Sequence, residues 1–231
     1  MKLRKIFLAF ALLTAWLIPA SAQRHYVPHV HVGAHAGVSL SQVSFFPSVK
    51  ESMLTGMQFG LSFRYAEERH VGLLAELNIE QRGWKENFEE DNDKFAYSRR
   101  TTYVQLPVMT HIFFGSRKVK CFFNLGPQVG YMISDGITAN FDYEHPDDVK
   151  DFPGEYRPTA QMAMKIKNRF DYGIAGGLGM ELVVAKKHSI LLEGRYYYGL
   201  GNLFHSSKAD EFSASRGNSI VVTLGYMFRI K

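Results

Sequence analysis

The chain has 231 residues, 46% hydrophobic and 21% charged, with one cysteine and a formal net charge of +5. That length suits one domain, the single cysteine excludes a disulfide framework within one chain, and no segment after the N-terminal leader approaches the ~20 consecutive apolar residues of a membrane helix. The pI near 9.2 is no argument for nucleic acid, because three of the five surplus charges, Lys2, Arg4 and Lys5, belong to the leader and +5 less those three leaves +2.

Lys2, Arg4 and Lys5 precede an apolar run from Ile6 to Ile18 and then Ala20-Ser21-Ala22, the pattern of a secretory signal peptide with a small-residue cleavage site. Residues 1–22 are expected to be removed, leaving 23–231 as the folded domain. The residue after Ala22 is Gln23 and not Cys, so no lipoprotein anchor is expected.

Eight stretches then alternate apolar and polar residues with a period of two, which no helix sorts onto two faces. The first is Val30 to Leu40, with His31, Gly33, His35, Gly37 and Ser39 on its polar side. In the second, Gly56 to Tyr65, Met57, Phe59, Leu61, Phe63 and Tyr65 interleave with Gln58, Gly60, Ser62 and Arg64. A charged turn, residues 66–70, leads to the third, where Val71, Leu73, Ala75, Leu77 and Ile79 oppose Leu74, Glu76, Asn78, Glu80 and Arg82.

The fourth, Thr101 to Phe114, sets Val104, Leu106, Val108 and Ile112 against Tyr103, Gln105, Pro107, Met109 and His111, and Pro107 is expected to mark a bulge or bend. After Gly115-Ser116-Arg117-Lys118, the fifth opposes Val119, Cys121, Phe123, Leu125, Val129, Tyr131 and Ile133 to Lys120, Asn124, Gly126, Gln128 and Gly130; Cys121 reads as a small outward apolar residue. The sixth, Asn168 to Val184, faces Arg169, Asp171, Gly173, Gly177, Gly179 and Glu181 inward. The seventh follows the turn at residues 185–188 with Glu193, Arg195 and Tyr197 inward, and the eighth, ending the chain, carries Thr223, Gly225, Arg229 and Lys231 on its polar face.

An even number of long alternating strands with alternately short and long connections is the pattern of an eight-stranded, antiparallel, transmembrane β-barrel of the outer-membrane type. The long connections are expected at residues 41–55, 83–100, 134–167 and 201–217, facing outside, with the short turns and both termini in the periplasm of a Gram-negative cell. Aromatic residues stand where two interfacial girdles need them: Tyr65, Phe114, Tyr226 and Phe228 near the short turns, and Tyr131, Phe170, Tyr172 and Tyr198 near the long loops.

The inward faces collect Arg64, Glu76, Glu80, Arg82, Lys120, Asp171, Glu181, Glu193, Arg195 and Arg229, charges of both signs that need pairing or water. They are expected to form a structural ion-pair lattice, with Glu76 and Glu80 meeting Arg82, Arg64 or Arg195. Eight strands leave an interior that side chains just fill, whereas an open aqueous channel takes roughly 16–18, so porin activity is not expected.

The runs Tyr103-Val104-Gln105-Leu106-Pro107-Val108, Gly126-Pro127-Gln128-Val129-Gly130-Tyr131-Met132 and 170–179 (FDYGIAGGLG) resemble the PorT-like outer-membrane barrel family of the Bacteroidetes. The resemblance implies the same fold and location. The family's name comes from a member needed for type IX protein secretion, which implies a secretion role as one alternative; the motifs themselves look like barrel architecture, and no functional residue is carried over.

Three chemical readings have weaker support. His205, Ser206, Ser207, Asp210 and Glu211 contain nucleophile, base and acid, but adjacent residues in one loop seldom make catalytic geometry and no Gly-x-Ser-x-Gly elbow exists. His29, His31 and His35 share a face, and Glu86, Glu89, Glu90, Asp91 and Asp93, with Asp142, Glu144, Asp147, Asp148 and Asp151, make acidic loops, yet neither loop has EF-hand spacing. Gly173, Gly176, Gly177 and Gly179 lie inside a predicted strand, not at the strand-turn-helix junction of a dinucleotide site, and read as room for bulky lumen side chains.

The expectation is therefore a monomeric barrel without catalytic residues, cofactor or metal, serving envelope structure or surface interaction. A secretion or envelope-assembly component docking partners on its periplasmic side is the alternative, and a small-solute pore a second one. Expected partners are outer-membrane lipid and lipopolysaccharide, the barrel-assembly machinery during biogenesis, and envelope or secretion proteins.

Overall fold

The computed structural model describes residues 28–66, 70–88, 94–152, 159–204 and 211–230. The expected leader lies outside them. Eight strands, β1 (His29–Phe46), β2 (Glu51–Ala66), β3 (Val71–Glu86), β4 (Tyr97–Gly115), β5 (Val119–Ala139), β6 (Phe170–Ala185), β7 (His188–Gly199) and β8 (Ala214–Arg229), form one antiparallel ring. β8 closes on β1, so Ala36 sits between Phe59 of β2 and Leu224 of β8 and the sheet has no free edge.

The polarity of the wall is inside-out. Leu61 and Leu178 are 63% and 67% exposed on the outer face, whereas Glu80 and Glu181 are 1% exposed inside. A wall of large aliphatic side chains around a charged interior is stable only where the outer solvent is lipid, which is what the alternation predicts. Phe114 and Tyr226 mark the short-turn end of that wall, and Tyr131, Phe170, Tyr172 and Tyr198 the other, all exposed.

The strands are longer than the alternation predicts. Residues 41–46 and 51–55 belong to β1 and β2, so the first long connection shrinks to 47–50, and β3, β4 and β5 likewise run into the expected loops. The cause is an inversion of phase above the apolar band. There Ser44, Lys85 and Arg100 point outward and are exposed, while Val43, Phe45, Leu54, Trp84 and Tyr97 point inward and are buried. A strand that leaves lipid for water swaps its polar and apolar faces, and a reading that follows outward apolar residues stops at the swap.

Two smaller expectations are corrected. The register passes Pro107 unshifted, with Pro107 opposite Gln128, although the ladder to β3 is interrupted between Ala75 and Asn78; the bulge in the β4–β5 pairing lies at Thr102/Tyr103. Arg169 is exposed ahead of β6 rather than turned inward. The β4–β5 turn starts at Gly115, whose φ of +135° is open to glycine alone at little cost.

The segment between β5 and β6 carries a one-turn helix, α1 (Ala160–Ala163), that folds back over the barrel's long-loop end together with the segment between β7 and β8. Met162, Ile166, Leu203, Phe204 and Phe212 from these segments pack on Val43, Phe45, Trp84, Tyr97, Tyr103 and Met132 from the strands, forming an apolar core above the charged lumen.

Candidate functional site

Eight of the ten lumen charges pair in three tiers, taken from the short turns upward. In the lowest, Arg64 of β2 meets Glu181 of β6 through two hydrogen bonds of 2.9 and 3.0 Å. Arg64 can only donate, so His111 Nε2, 3.3 Å from its Nη1, accepts, and the imidazole proton is assigned to Nδ1, 2.7 Å from Asn124 Oδ1. Lys120 lies beside this tier, half-buried, with its ammonium 5.2 Å from the Phe113 ring centroid.

In the middle tier Arg195 of β7 binds Glu76 of β3 at 2.6 and 3.0 Å and Glu193 at 3.0 and 2.9 Å. The remaining carboxylate capacity is taken by the Asn78 amide at 3.0 Å and the Ser62 hydroxyl at 3.5 Å on Glu76, and by the Asn124 amide on Glu193 at 2.9 Å. In the upper tier Arg82 donates to Asp171 at 2.9 Å, as does the Tyr197 hydroxyl at the same distance. The Arg82 guanidinium is stacked between Tyr103 and Tyr197, 4.1 and 4.8 Å from their ring centroids. Glu80 stands 3.8 Å from Arg82 and accepts from Ser39 at 2.9 Å and Gln105 at 2.6 Å.

These contacts close the barrel. In a ring of eight, β2 and β6, like β3 and β7, are diametrically opposite, so Arg64–Glu181 and Arg195–Glu76 are struts across the full lumen. Cavities of about 30 Å³ beside His35 and Glu76 and about 20 Å³ beside Arg82 and Asp171 are each of a size for a single water or two. Arg229, the tenth charge, is half-buried near the short-turn mouth, and neither it nor Lys120 forms an ion pair among the described residues.

The glycines of β6 supply the room. A Cβ at Gly177 would meet the Glu193 carboxylate, and one at Gly179 the Phe122 ring. Gly173, Gly177 and Gly179 are thus gaps on the lumen side, whereas Gly176 is in register with the outward Ile174 and Leu178 and has Leu125 as the only side chain beside it, so the expectation fails there.

A further ionic contact, above the three tiers, caps the lattice. Arg99 binds Asp135 at 2.8 and 2.6 Å and donates to the Met164 carbonyl at 2.5 Å, holding the segment after α1. Tyr97 donates to the Met162 carbonyl at 2.8 Å and Gln161 to Glu86 at 3.0 Å. Sequence reasoning missed Arg99, Asp135, Glu86 and Trp84 as structural residues because it assigned them to loops; the signal present was the alternation Tyr97, Arg99, Thr101, Tyr103, which continues the inward face of β4.

Catalytic and metal readings find no geometry among the described residues. Ser62 Oγ lies 2.9 Å from His35 Nδ1, and His35 Nε2 lies 3.9 Å from Glu76, but Glu76 is already saturated by Arg195 and the adjoining cavity admits water alone. No three His, Cys, Asp or Glu side chains converge on a metal-sized site among the described residues. His29 and His31 meet edge-on, with ring centroids 6.5 Å apart. His205, Ser206, Ser207, Asp210, Glu89, Glu90, Asp91, Asp93 and the side chain of Asp147 lie outside the described residues. Asp142 turns to its own loop: the Glu144 N–H, then that of His145, holds its carboxyl below the usual range.

Residues 21–205 match the family model of the outer membrane protein beta-barrel domain. The chain belongs to that family. Among solved structures it is similar to the outer membrane protein OprG from Pseudomonas aeruginosa, at 12% identity and TM-score 0.53 over 88% of this chain and 95% of that one. It is also similar to Neisserial surface protein A (10% identity, TM-score 0.47, 88% and 99% covered) and to Ail of Yersinia pestis (14%, 0.41, 86% and 99%). At such identities the likeness is one of fold. No curated protein matches the chain. Its family and inside-out wall place it in the outer membrane.

Proposed function

We propose that the protein is a closed, non-catalytic outer-membrane barrel whose long-loop end presents a fixed surface to the cell exterior, with the short turns and both termini in the periplasm. The observation that carries this reading is the cap. An isolated hydrated loop needs no apolar core, yet here loop residues Met162, Phe204 and Phe212 are buried against Trp84 and Phe45, and the carbonyls of Met162 in α1 and Met164 just after it are held by Tyr97 and Arg99. Ordering that much chain costs conformational entropy at every residue, and a surface built for recognition recovers it by binding without further ordering. Its partners are lipopolysaccharide or a protein of the envelope or of another surface.

The motifs that resemble PorT-like barrels meet as one patch of wall, Gln105 opposite Gly130 and Gln128 opposite Gly173, and so speak for architecture; the secretion reading gains no residue from them. The test is single-channel conductance of the folded protein in planar bilayers, beside binding of lipopolysaccharide. A heat-modifiable barrel without steady conductance, whose ligand binding is lost when residues 140–169 are shortened, is expected. Steady conductance would replace this reading with transport.

A further inference from the structure

The short-turn rim is electrically one-sided. Arg117 and Lys118 lie in the β4–β5 turn, and Lys186 and Lys187 in the β6–β7 turn, all exposed; Lys120 and Arg229 add two half-buried cations just inside the mouth. Backbone bonds join these pieces into a continuous arc. Val183 N–H donates to the Lys118 carbonyl and Arg229 N–H to the Lys187 carbonyl, both at 2.8 Å, so the two turns and the end of β8 are neighbours along the rim. Residues 112–121, 182–190 and 226–231 contain no Asp or Glu, and none of the six cations forms an ion pair among the described residues. The third short turn, residues 66–70, differs in composition, with Glu67 and Glu68 beside Arg69 in the sequence.

Height decides what the arc meets. Val119 and Val184, exposed on the lipid face, are within three residues of these cations, and Phe114 of the girdle stands at the same level. Arg117 and Lys118 project from a turn fixed by Ser116, whose N–H donates to the Val119 carbonyl at 2.8 Å and whose hydroxyl accepts the Val119 N–H at 3.1 Å. Cations at the lower border of an apolar wall, on stems long enough to reach along it, stand at the depth of lipid headgroups.

We propose that this arc, from β4 through β8, is a docking surface for anionic glycerophospholipid headgroups of the leaflet at the short-turn rim. Phosphate and glycerol oxygens accept from the four exposed side chains while the acyl chains lie on Val119, Val184 and Phe114. The barrel thus gathers anionic lipid on one flank. The site rests on the barrel spanning a membrane but on neither the orientation nor the surface function proposed above, since a headgroup assay is blind to both.

The test uses the protein purified in detergent from outer membranes and reconstituted in phosphatidylcholine vesicles with trace spin-labelled phosphatidylglycerol or phosphatidylcholine. The motionally restricted fraction of each label is read by electron spin resonance. Wild type is expected to prefer phosphatidylglycerol by roughly 5-fold at low salt, the ratio of about 1 kcal/mol at one headgroup, and the preference should fall towards unity at high salt. Arg117→Gln, Lys118→Gln, Lys186→Gln and Lys187→Gln together should abolish it, whereas Lys85→Gln with Arg100→Gln at the other end should leave it intact. Equal restriction of both labels in wild type, or a preference unmoved by salt or surviving in a heat-modifiable fourfold variant, overturns the proposal and leaves the arc to an acidic macromolecule.

Discussion

Arg195 offers the sharpest test of the lumen lattice, because one guanidinium satisfies two carboxylates. Replacing it by Met removes four hydrogen bonds to Glu76 and Glu193 and leaves both carboxylates in a lumen where only neutral donors remain, Asn78 and Ser62 on Glu76 and Asn124 on Glu193. Breaking a buried ion pair from one side costs about 3–5 kcal/mol, since the stranded charge keeps its desolvation penalty. Residues 23–231 contain a single tryptophan, Trp84, fully buried in the cap, so its fluorescence reports unfolding in urea. With a urea slope of about 2 kcal/mol/M, the midpoint should fall by about 2 M. Adding Glu76→Gln and Glu193→Gln to Arg195→Met should recover much of that loss by removing the stranded charges. A midpoint shift below about 0.5 M for Arg195→Met alone would refute the reasoning, because it would mean that water reaches the carboxylates and the lattice is not buried.

Gly179→Val should lower the yield of heat-modifiable barrel, since the new side chain meets the Phe122 ring and the Leu192 carbonyl and overpacking costs about 1–3 kcal/mol or more. Tyr97→Phe combined with Arg99→Met should lower the unfolding midpoint less than Arg195→Met does, because the Asp135 carboxylate it strands is a quarter exposed, and should speed proteolysis between residues 140 and 169, because those side chains hold the carbonyls of Met162 and Met164; unchanged cleavage would mean that apolar packing alone fixes the cap. In a Cys121→Ser background, Asp142→Cys should react with an impermeant maleimide on intact cells and Lys118→Cys should not, and the reverse pattern would overturn the orientation proposed here.

The lipid-facing wall was legible in the sequence because lipid tolerates no exceptions: Met57 to Tyr65 and Val71 to Ile79 repeat with a period that one solvent imposes on one face. The inward charges were legible as a set for the same reason, yet their partners were not. Glu76 was open to Arg82, Arg64 or Arg195, and the structure gives it Arg195, four strands away, while Arg64 goes to Glu181. Pairing across a lumen depends on the shear of the closed barrel, which no local pattern encodes. The cap was hidden by a different mechanism. Phe45, Trp84 and Tyr97 sit on continuing strands, but in water the two faces exchange character, so these strand ends looked like loops.

The lattice also bears on how the barrel finds its register. Replacing ion pairs in a lumen by well-packed apolar side chains is often neutral or stabilising, so stability alone does not account for charges such as Arg64, Arg82 and Arg195. Register does. Because side chains alternate, a slip of one residue in β2, β3 or β7 would carry Arg64, Arg82 or Arg195 to the lipid face. A basic residue there costs about 2–4 kcal/mol at the bilayer midplane, and less towards either interface. The same slip would strand Glu181, Asp171 and Glu76 without their cations. An all-apolar lumen would carry no such penalty, and Leu61 would serve as well inside as out. The charges therefore make the wrong pairings expensive while the right one gives Arg64, Arg82 and Arg195 each a carboxylate partner, which is how a wall of near-interchangeable Leu, Ile, Val and Phe closes in one register.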